Sequence, residues 1–306
     1  FWVYHNFDFT KVGEVLLHGT NWWWMFFSLL FGVLAQVFRG WRWKQMLEPL
    51  EAFPKRSDCV NAIFISYAAS LIVPRVGEVS RCGVLAKYDN VSFAKSLGTV
   101  VTERLVDTLT ILLITGVTVL LQLPIFVTFL QQTGTKIPSL LHLLTSVWFY
   151  IVLFCFIGVG MLLYYLRKTL FFYERVKGFV LNIWEGVMSL KGVRNIPLFS
   201  FYTLAIWGCY FFHFYFTFYC FAFTAHLSIL AALVMFVGGT FAVIVPTPNG
   251  AGPWHFAVIS MMMLYGVNET DAGIFALIVH GIQTFLVVLL GVYGLAALSL
   301  TNRQRK

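Results

Sequence analysis

Residues 72–83 read Ile-Val-Pro-Arg-Val-Gly-Glu-Val-Ser-Arg-Cys-Gly, and residues 244–255 read Ile-Val-Pro-Thr-Pro-Asn-Gly-Ala-Gly-Pro-Trp-His. Each stretch closes an apolar run on Val-Pro, turns on a glycine (Gly77 or Gly250) and leads into a long apolar segment. Proline removes a helical N–H and pushes the residue before it out of the helical region, so both runs must break there. Two such breaks at matching places in two halves of a chain predict a pair of related units. That pattern points to a transport site built from discontinuous helices at mid-membrane.

The rest of the chain supports a membrane setting. Of its 306 residues 59% are hydrophobic and only 11% are charged, against about 25% charge in soluble domains. The mean hydropathy is +0.81. Trp22, Trp23 and Trp24 head an apolar run and read as an interfacial anchor. The net charge of +8 follows from orientation and carries no nucleic-acid signal. Cys59, Cys82, Cys155, Cys209 and Cys220 lie in or beside apolar segments without Cys-x-x-Cys spacing and read as small buried apolar residues. No phosphate-binding Gly-x-x-x-x-Gly-Lys loop, zinc-type His/Cys spacing or dinucleotide fingerprint is present, which excludes a built-in ATPase and gives no metal or cofactor to expect. Residue 1 is Phe and no signal peptide is readable, so an earlier segment is expected before it.

Full spans are expected over 21–40, 92–122, 140–166, 196–222 and 272–300, each reaching the roughly 20 apolar residues that a span needs. Two shorter apolar segments, 59–73 and 228–245, run into the breaks. Basic residues cluster in three places: Arg39, Arg42, Lys44, Lys55 and Arg56; Arg167, Lys168, Arg175, Lys177, Lys191 and Arg194; and Arg303, Arg305 and Lys306. The positive-inside rule puts all three in the cytoplasm. If 59–73 crossed completely, Arg75, Arg81, Lys87 and Lys95 would lie outside, against that rule. The parity is restored if 59–90 enters from the cytoplasm, turns at Pro74–Gly77 and returns, and 228–266 enters from the other side with its tip at Pro246–Gly252. The expected fold is therefore an all-α, polytopic helical membrane protein forming a single domain over 1–306. It holds two inverted repeats, about 59–122 and 228–300, each with a re-entrant hairpin. The C-terminus is expected to be cytoplasmic. Between the repeats, about 167–195, Phe172, Val176, Phe179, Ile183, Val187 and Leu190 form an apolar stripe among charges. Two readings are open there: an interfacial helix on the cytoplasmic leaflet, or a plain helical linker.

Irregular backbone at membrane depth needs protein or a wet cavity around it, so the hairpin tips predict a polar interior. Glu103, Arg104 and Asp107 interrupt the apolar span 92–122. Glu103 lies about 17 Å along that helix, where each charge costs about 2.5–3.5 kcal/mol. Glu103 and Asp107 share a face, and Arg104, three residues from Asp107, is placed to pair with it. Arg75, Glu78 and Arg81 on the first hairpin extend the charged set. Either the group locks helices together, or it forms the wall of a headgroup path in which arginine forks meet phosphate. In the second hairpin Pro246, Pro248, Asn249, Gly250 and Gly252 form an uncharged turn. Pro253 suits the first turn of a new helix, whose N-terminus can receive an anion. His255 is a candidate to bind a ligand or shuttle a proton, and His280 with Gln283 is a candidate for the opposite wall of the cavity. Ser66, Tyr67 and Ser70 are further polar candidates, and Gly238-Gly239 reads as helix packing.

The motifs Pro-Arg-Val-Gly-Glu-Val-Ser-Arg (74–81), Ser-Leu-Gly-Thr-Val-Val-Thr-Glu-Arg-Leu-Val-Asp (96–107) and Pro-Thr-Pro-Asn-Gly-Ala-Gly (246–252) resemble the membrane domain of the lysylphosphatidylglycerol synthase/flippase family. The resemblance runs over nearly the whole chain. It implies a protein of the bacterial inner membrane that moves a polar-headgroup lipid between leaflets: a phospholipid, an aminoacylated phospholipid or a polyprenyl-linked lipid. No aminoacyl-transferase domain is expected in these residues. His255 stands where many members carry an acidic residue. Membrane lipids are the expected partners, homo-oligomerisation is allowed, and no nucleic acid is expected. The alternatives are a membrane-embedded lipid-modifying transferase using Glu103, Asp107 or His255 as base, an ion-coupled small-anion transporter, and a lipid-binding scaffold.

Overall fold

A computed structural model of the chain describes residues 9–125, 127–128 and 173–303, together with positions 147, 150, 154 and 158. The described residues are helical throughout their regular structure and contain no strand. A short α1 (Phe9–Glu14) precedes α2 (Trp22–Leu47), α3 (Arg56–Ile72), α4 (Val76–Asp89) and α5 (Phe93–Leu121). From residue 173 onward come α6 (Tyr173–Met188), α7 (Ile196–Tyr215), α8 (Ile229–Ala242), α9 (Pro253–Leu264) and α10 (Glu269–Arg303). Most of the expected span 140–166, and the side chains of the stripe residues Phe172 and Val176, lie outside what the structure describes.

Helix starts follow the local sequence. Asn21, Ser92, Asn195 and Ser228 are N-caps whose side chains accept from Trp23, Lys95, Leu198 and Ala231 backbone N–H groups. These satisfy donors that the first helical turn leaves open. Among the described residues four stretches are long and apolar enough to cross a membrane: Trp22–Leu50, Phe93–Leu121, Ile196–Cys220 and Glu269–Thr301. The first differs from the sequence reading. It does not stop near residue 40 but runs to Leu47, because Trp43, Met46 and Leu47 continue its buried face. The α-helix of the third stops at Tyr215 and tightens into a 3-10 turn over Phe216–Cys220.

The two sequence breaks become two helix pairs, α3/α4 and α8/α9, each packed on itself. Their arms have 17, 14, 14 and 12 residues. At 1.5 Å per residue they are about 26, 21, 21 and 18 Å long, all shorter than the roughly 30 Å hydrocarbon core. Each pair has its own apolar core. Trp43, Leu47, Cys59, Ile63, Cys82, Leu85 and Val100 pack around the first. Phe214, Phe218, Met235, Val258, Met262 and Phe275 belong to the second. Small residues let the helices approach. A Cβ on Gly77 would sit 1.9 Å from the Ser66 carbonyl oxygen, and one on Gly98 would sit 2.1 Å from that of Ile183. The Gly98 contact, with Gly186 opposite, holds α6 against α5, while Phe179, Leu181 and Trp184 of α6 stay exposed. Gly238 meets Met261 and Gly239 meets Trp254, so that pair packs α8 on α9.

Candidate functional site

Three helices bring five charges into one buried cluster. Arg39 and Arg42, three residues apart on α2, face Glu103 and Asp107, four apart on α5. Arg39 Nη1 donates to Glu103 Oε1 at 2.6 Å and to Asp107 Oδ2 at 2.8 Å. Arg42 Nη2 donates to Asp107 Oδ1 at 2.7 Å and lies 3.4 Å from Glu103 Oε1. From α4, Arg81 Nη1 donates to Glu103 Oε2 at 2.9 Å. Arg39, Arg42, Arg81 and Glu103 are each at most 3% exposed, and Asp107 is 6% exposed. Buried charges persist only when paired, since removing them from water costs several kcal/mol per ion.

Aromatic and hydroxyl groups hold the arginines in place. The Arg81 guanidinium lies 4.7 Å from the Trp43 ring, and Trp43 Nε1 donates to Thr99 Oγ1 at 2.8 Å. Arg39 lies over Tyr210, whose hydroxyl meets that of Tyr67 at 2.6 Å. Arg42 Nη1 donates to Thr203 Oγ1 at 3.2 Å. The pairing is incomplete. Among the described residues three arginines face two carboxylates, an excess of one positive charge. Among the described residues, the Nε atoms of all three arginines and Nη2 of Arg81 have no hydrogen-bond partner.

The remaining first-hairpin residues sit elsewhere. Arg104 pairs with Glu78 (Nε–Oε1 3.0 Å) in a half-exposed bridge at the cluster's edge. This corrects the expected Arg104–Asp107 pair: both Asp107 oxygens are taken by the α2 arginines. Arg75 is exposed at the tip and stays out of the cluster. Its Nη2 donates to the carbonyl of Ile244 in the second turn at 2.9 Å, so the two turns touch. Pro74 and Gly77 form the bend itself, with Gly77 N donating to Ser70 Oγ at 3.2 Å.

The second turn gathers neutral groups. Pro246 and Pro248 precede Asn249 (φ 51°), Gly250 (φ 76°) and Gly252 (φ 92°). Left-handed angles suit glycine and, less well, asparagine. Asn249 Nδ2 donates to Thr284 Oγ1 at 2.8 Å, and His280 Nε2 donates to the Asn249 carbonyl at 3.1 Å. His255 Nδ1 accepts from Gly252 N at 3.3 Å, and the His255 and His280 rings are 4.5 Å apart. Trp254 lies against His280 and fills the notch left by Gly239. Pro253 occupies the first turn of α9.

Two members of the buried cluster escape the sequence reading. Arg39 and Arg42 read as cytoplasmic charges flanking the first span, yet they are buried inside α2. The signal was the continuation Trp-Arg-Trp-Lys-Gln-Met-Leu over 41–47, which keeps an apolar face past residue 40.

Comparison with known proteins adds one finding. The family model described as the lysylphosphatidylglycerol synthase TM region matches residues 1–291. No curated protein and no solved structure matches the chain.

Proposed function

The chain belongs to the lysylphosphatidylglycerol synthase transmembrane-region family and is an integral membrane protein, and from that premise we propose that it carries phosphate-bearing lipid headgroups between the two leaflets. The two short helix pairs act as re-entrant hairpins of an inverted repeat, entering from opposite sides and meeting where Arg75 reaches Ile244. The headgroup follows the polar groups between the turns while its acyl chains stay in the bilayer. No covalent step is involved. The basic C-terminus lies in the cytoplasm, and the membrane is the bacterial inner membrane.

The observation that carries this reading is the unbalanced cluster. A bare phosphate in a low-dielectric path needs a compensating charge and donors. Arg81 supplies both: its Nη1 is held by Glu103 while Nε and Nη2 have no partner among the described residues. The planar fork suits parallel donation to phosphate oxygens. Glu103 and Asp107 hold the arginines in place and aim them. The uncharged second turn offers the Asn249 amide, the two histidines and the start of α9 as weaker acceptor and donor positions, with no carboxylate to repel the anion.

The test is headgroup translocation in proteoliposomes, followed by quenching of a fluorescent phosphatidylglycerol. Arg81→Ala is expected to abolish it with the protein still folded, and Arg81→Lys to restore part, because a point charge lacks the fork. Full translocation by a folded Arg81→Ala protein sinks the reading. Conversion of labelled lipid to a new product would instead point to a transferase. Uptake of soluble phosphate without lipid movement would point to an anion transporter.

A further inference from the structure

A groove of about 450 Å³ opens between α2, α3 and α10, away from the ion cluster. Its floor and walls are apolar: Val33 and Val37 of α2, Val60 and Phe64 of α3, Leu290 and Tyr293 of α10. Close crossings fix its shape. A Cβ on Gly40 would meet Val60 at 2.8 Å, and one on Gly294 would meet the Asn61 carbonyl at 3.0 Å. One end is polar. Arg56 and Ser57 line it at the start of α3, beside Trp41.

Two features of that end call for an anion. The N-terminus of α3 has no side-chain cap, and exposed first-turn N–H groups attract negative charge. Asp58 partly offsets this dipole but points inward, 1% exposed, and accepts from Ser57 Oγ at 3.0 Å. Asn61 also lines the groove. It is only 7% exposed, and its side chain makes no hydrogen bond among the described residues. Arg56 is exposed and has no ion-pair partner among the described residues. An apolar trough with a cation and an amide donor at one mouth, flanked by Trp41 and Tyr293, matches the shape and charge of one lipid. Its volume lies within the roughly 300–1,000 Å³ of ligand pockets.

We propose that this groove holds an anionic phospholipid as a resident ligand, with one acyl chain along Val37, Val60 and Leu290 and the phosphate between Arg56 and Asn61. This lipid is not the transported one. It wedges three helices at a site separate from the Arg81 cluster.

The test uses phosphatidylglycerol carrying a photoactivatable group in one acyl chain, in phosphatidylcholine proteoliposomes of the full chain, with labelled peptides mapped by mass spectrometry. Label is expected on the α2, α3 and α10 peptides that line the groove. Arg56→Ala, a surface change that leaves the core intact, should reduce it roughly tenfold, as for one lost charge-assisted hydrogen bond. Val37→Trp should block it sterically, and Arg81→Ala should leave it unchanged. Equal labelling by a phosphatidylcholine probe overturns the proposal, as does undiminished labelling of both Arg56→Ala and Val37→Trp. So does disulfide cross-linking of Tyr293→Cys between copies with no lipid label, since a second chain would then fill the groove.

Discussion

The two turns have similar outlines and opposite chemistry. Around the first, Glu78, Arg81, Glu103 and Arg104 lie among seven charges that pair across three helices. Among the described residues, the second turn carries no formal charge of its own beyond the reach of Arg75, and its contacts are an amide, a hydroxyl, two imidazoles and an indole. Backbone conformation differs in the same way. The first turn has one left-handed residue, Arg75, whereas the second has three within four positions. The first turn is therefore held by buried ion pairs, and the second by its backbone angles and by neutral contacts with α10. For the headgroup path proposed above, this asymmetry lets one side supply charge while the other yields without breaking ion pairs.

The largest expected effect probes the charged side. Glu103 bonds Arg39 and Arg81 and lies 3.4 Å from Arg42. Glu103→Ala leaves Arg39 and Arg42 on Asp107 and strips Arg81 of its only carboxylate partner among the described residues. Breaking a buried pair from one side costs about 3–5 kcal/mol, so thermal unfolding in detergent should show a protein near or beyond its stability limit. A variant as stable as the wild type would mean the cluster does not hold the first pair. No single polar truncation at the second turn should approach this loss.

Next comes a comparison of glycines. Gly77→Ala places a methyl 1.9 Å from a backbone carbonyl, and neither helix arm can yield locally. The cost should be about 3 kcal/mol, the upper end for an overpacked site. Gly252→Ala meets nothing within 4 Å and is opposed only by φ +92°, a strain of about 1–3 kcal/mol. Equal losses in a denaturant titration would erase the distinction between a turn fixed by contact and a turn fixed by conformation.

The same contrast explains what was legible in the sequence. Both breaks could be read, because proline and glycine act locally: Pro74 ends α3, and Gly250 and Gly252 adopt the angles only glycine favours. Four of the five expected apolar spans were legible for a similar reason, since hydropathy is read residue by residue along the chain. The pairing of charges was not. Arg104 stands three residues from Asp107, a spacing that permits a bond, yet the partners of Asp107 lie 65 and 68 residues away on α2. A positive-inside count treats every arginine near a helix end alike. It cannot tell Arg39 and Arg42, which are buried, from Arg56, which is exposed. Likewise His255 and His280 read as separate candidates until α9 packs on α10 and brings their rings together.

A smaller effect tests the neutral side. Thr284→Val removes the acceptor of the Asn249 amide without touching the turn's backbone. One neutral hydrogen bond contributes about 1 kcal/mol, and the His280–Asn249 carbonyl bond remains. A shift of a few degrees or less in unfolding temperature is expected. Collapse on the scale of Glu103→Ala would show that the second turn, too, depends on a single long-range contact.

The finest test concerns Arg75, where the two turns meet. It adopts φ 65°, a left-handed conformation that most side chains disfavour, while its Nη2 donates to the Ile244 carbonyl. Arg75→Ala removes that bond and keeps the disfavoured backbone. Arg75→Gly removes the same bond and relieves the backbone, since glycine adopts φ > 0 without steric cost. Both lose the link between turns, so the stability difference between them isolates the strain. That difference should be about 1 kcal/mol in favour of glycine. The bond is exposed and donates to a neutral carbonyl, so Arg75→Gly should be close to the wild type in stability. Asn249→Gly is the matched change at the second turn. Asparagine already tolerates the left-handed region, so little strain is relieved, and the loss of the Thr284 bond should leave that variant less stable than the wild type. The predicted signs are thus opposite: glycine is neutral at Arg75 and destabilising at Asn249. Should both respond alike in denaturant titration, the strain is shared between the turns rather than concentrated where the charged turn reaches across to the neutral one.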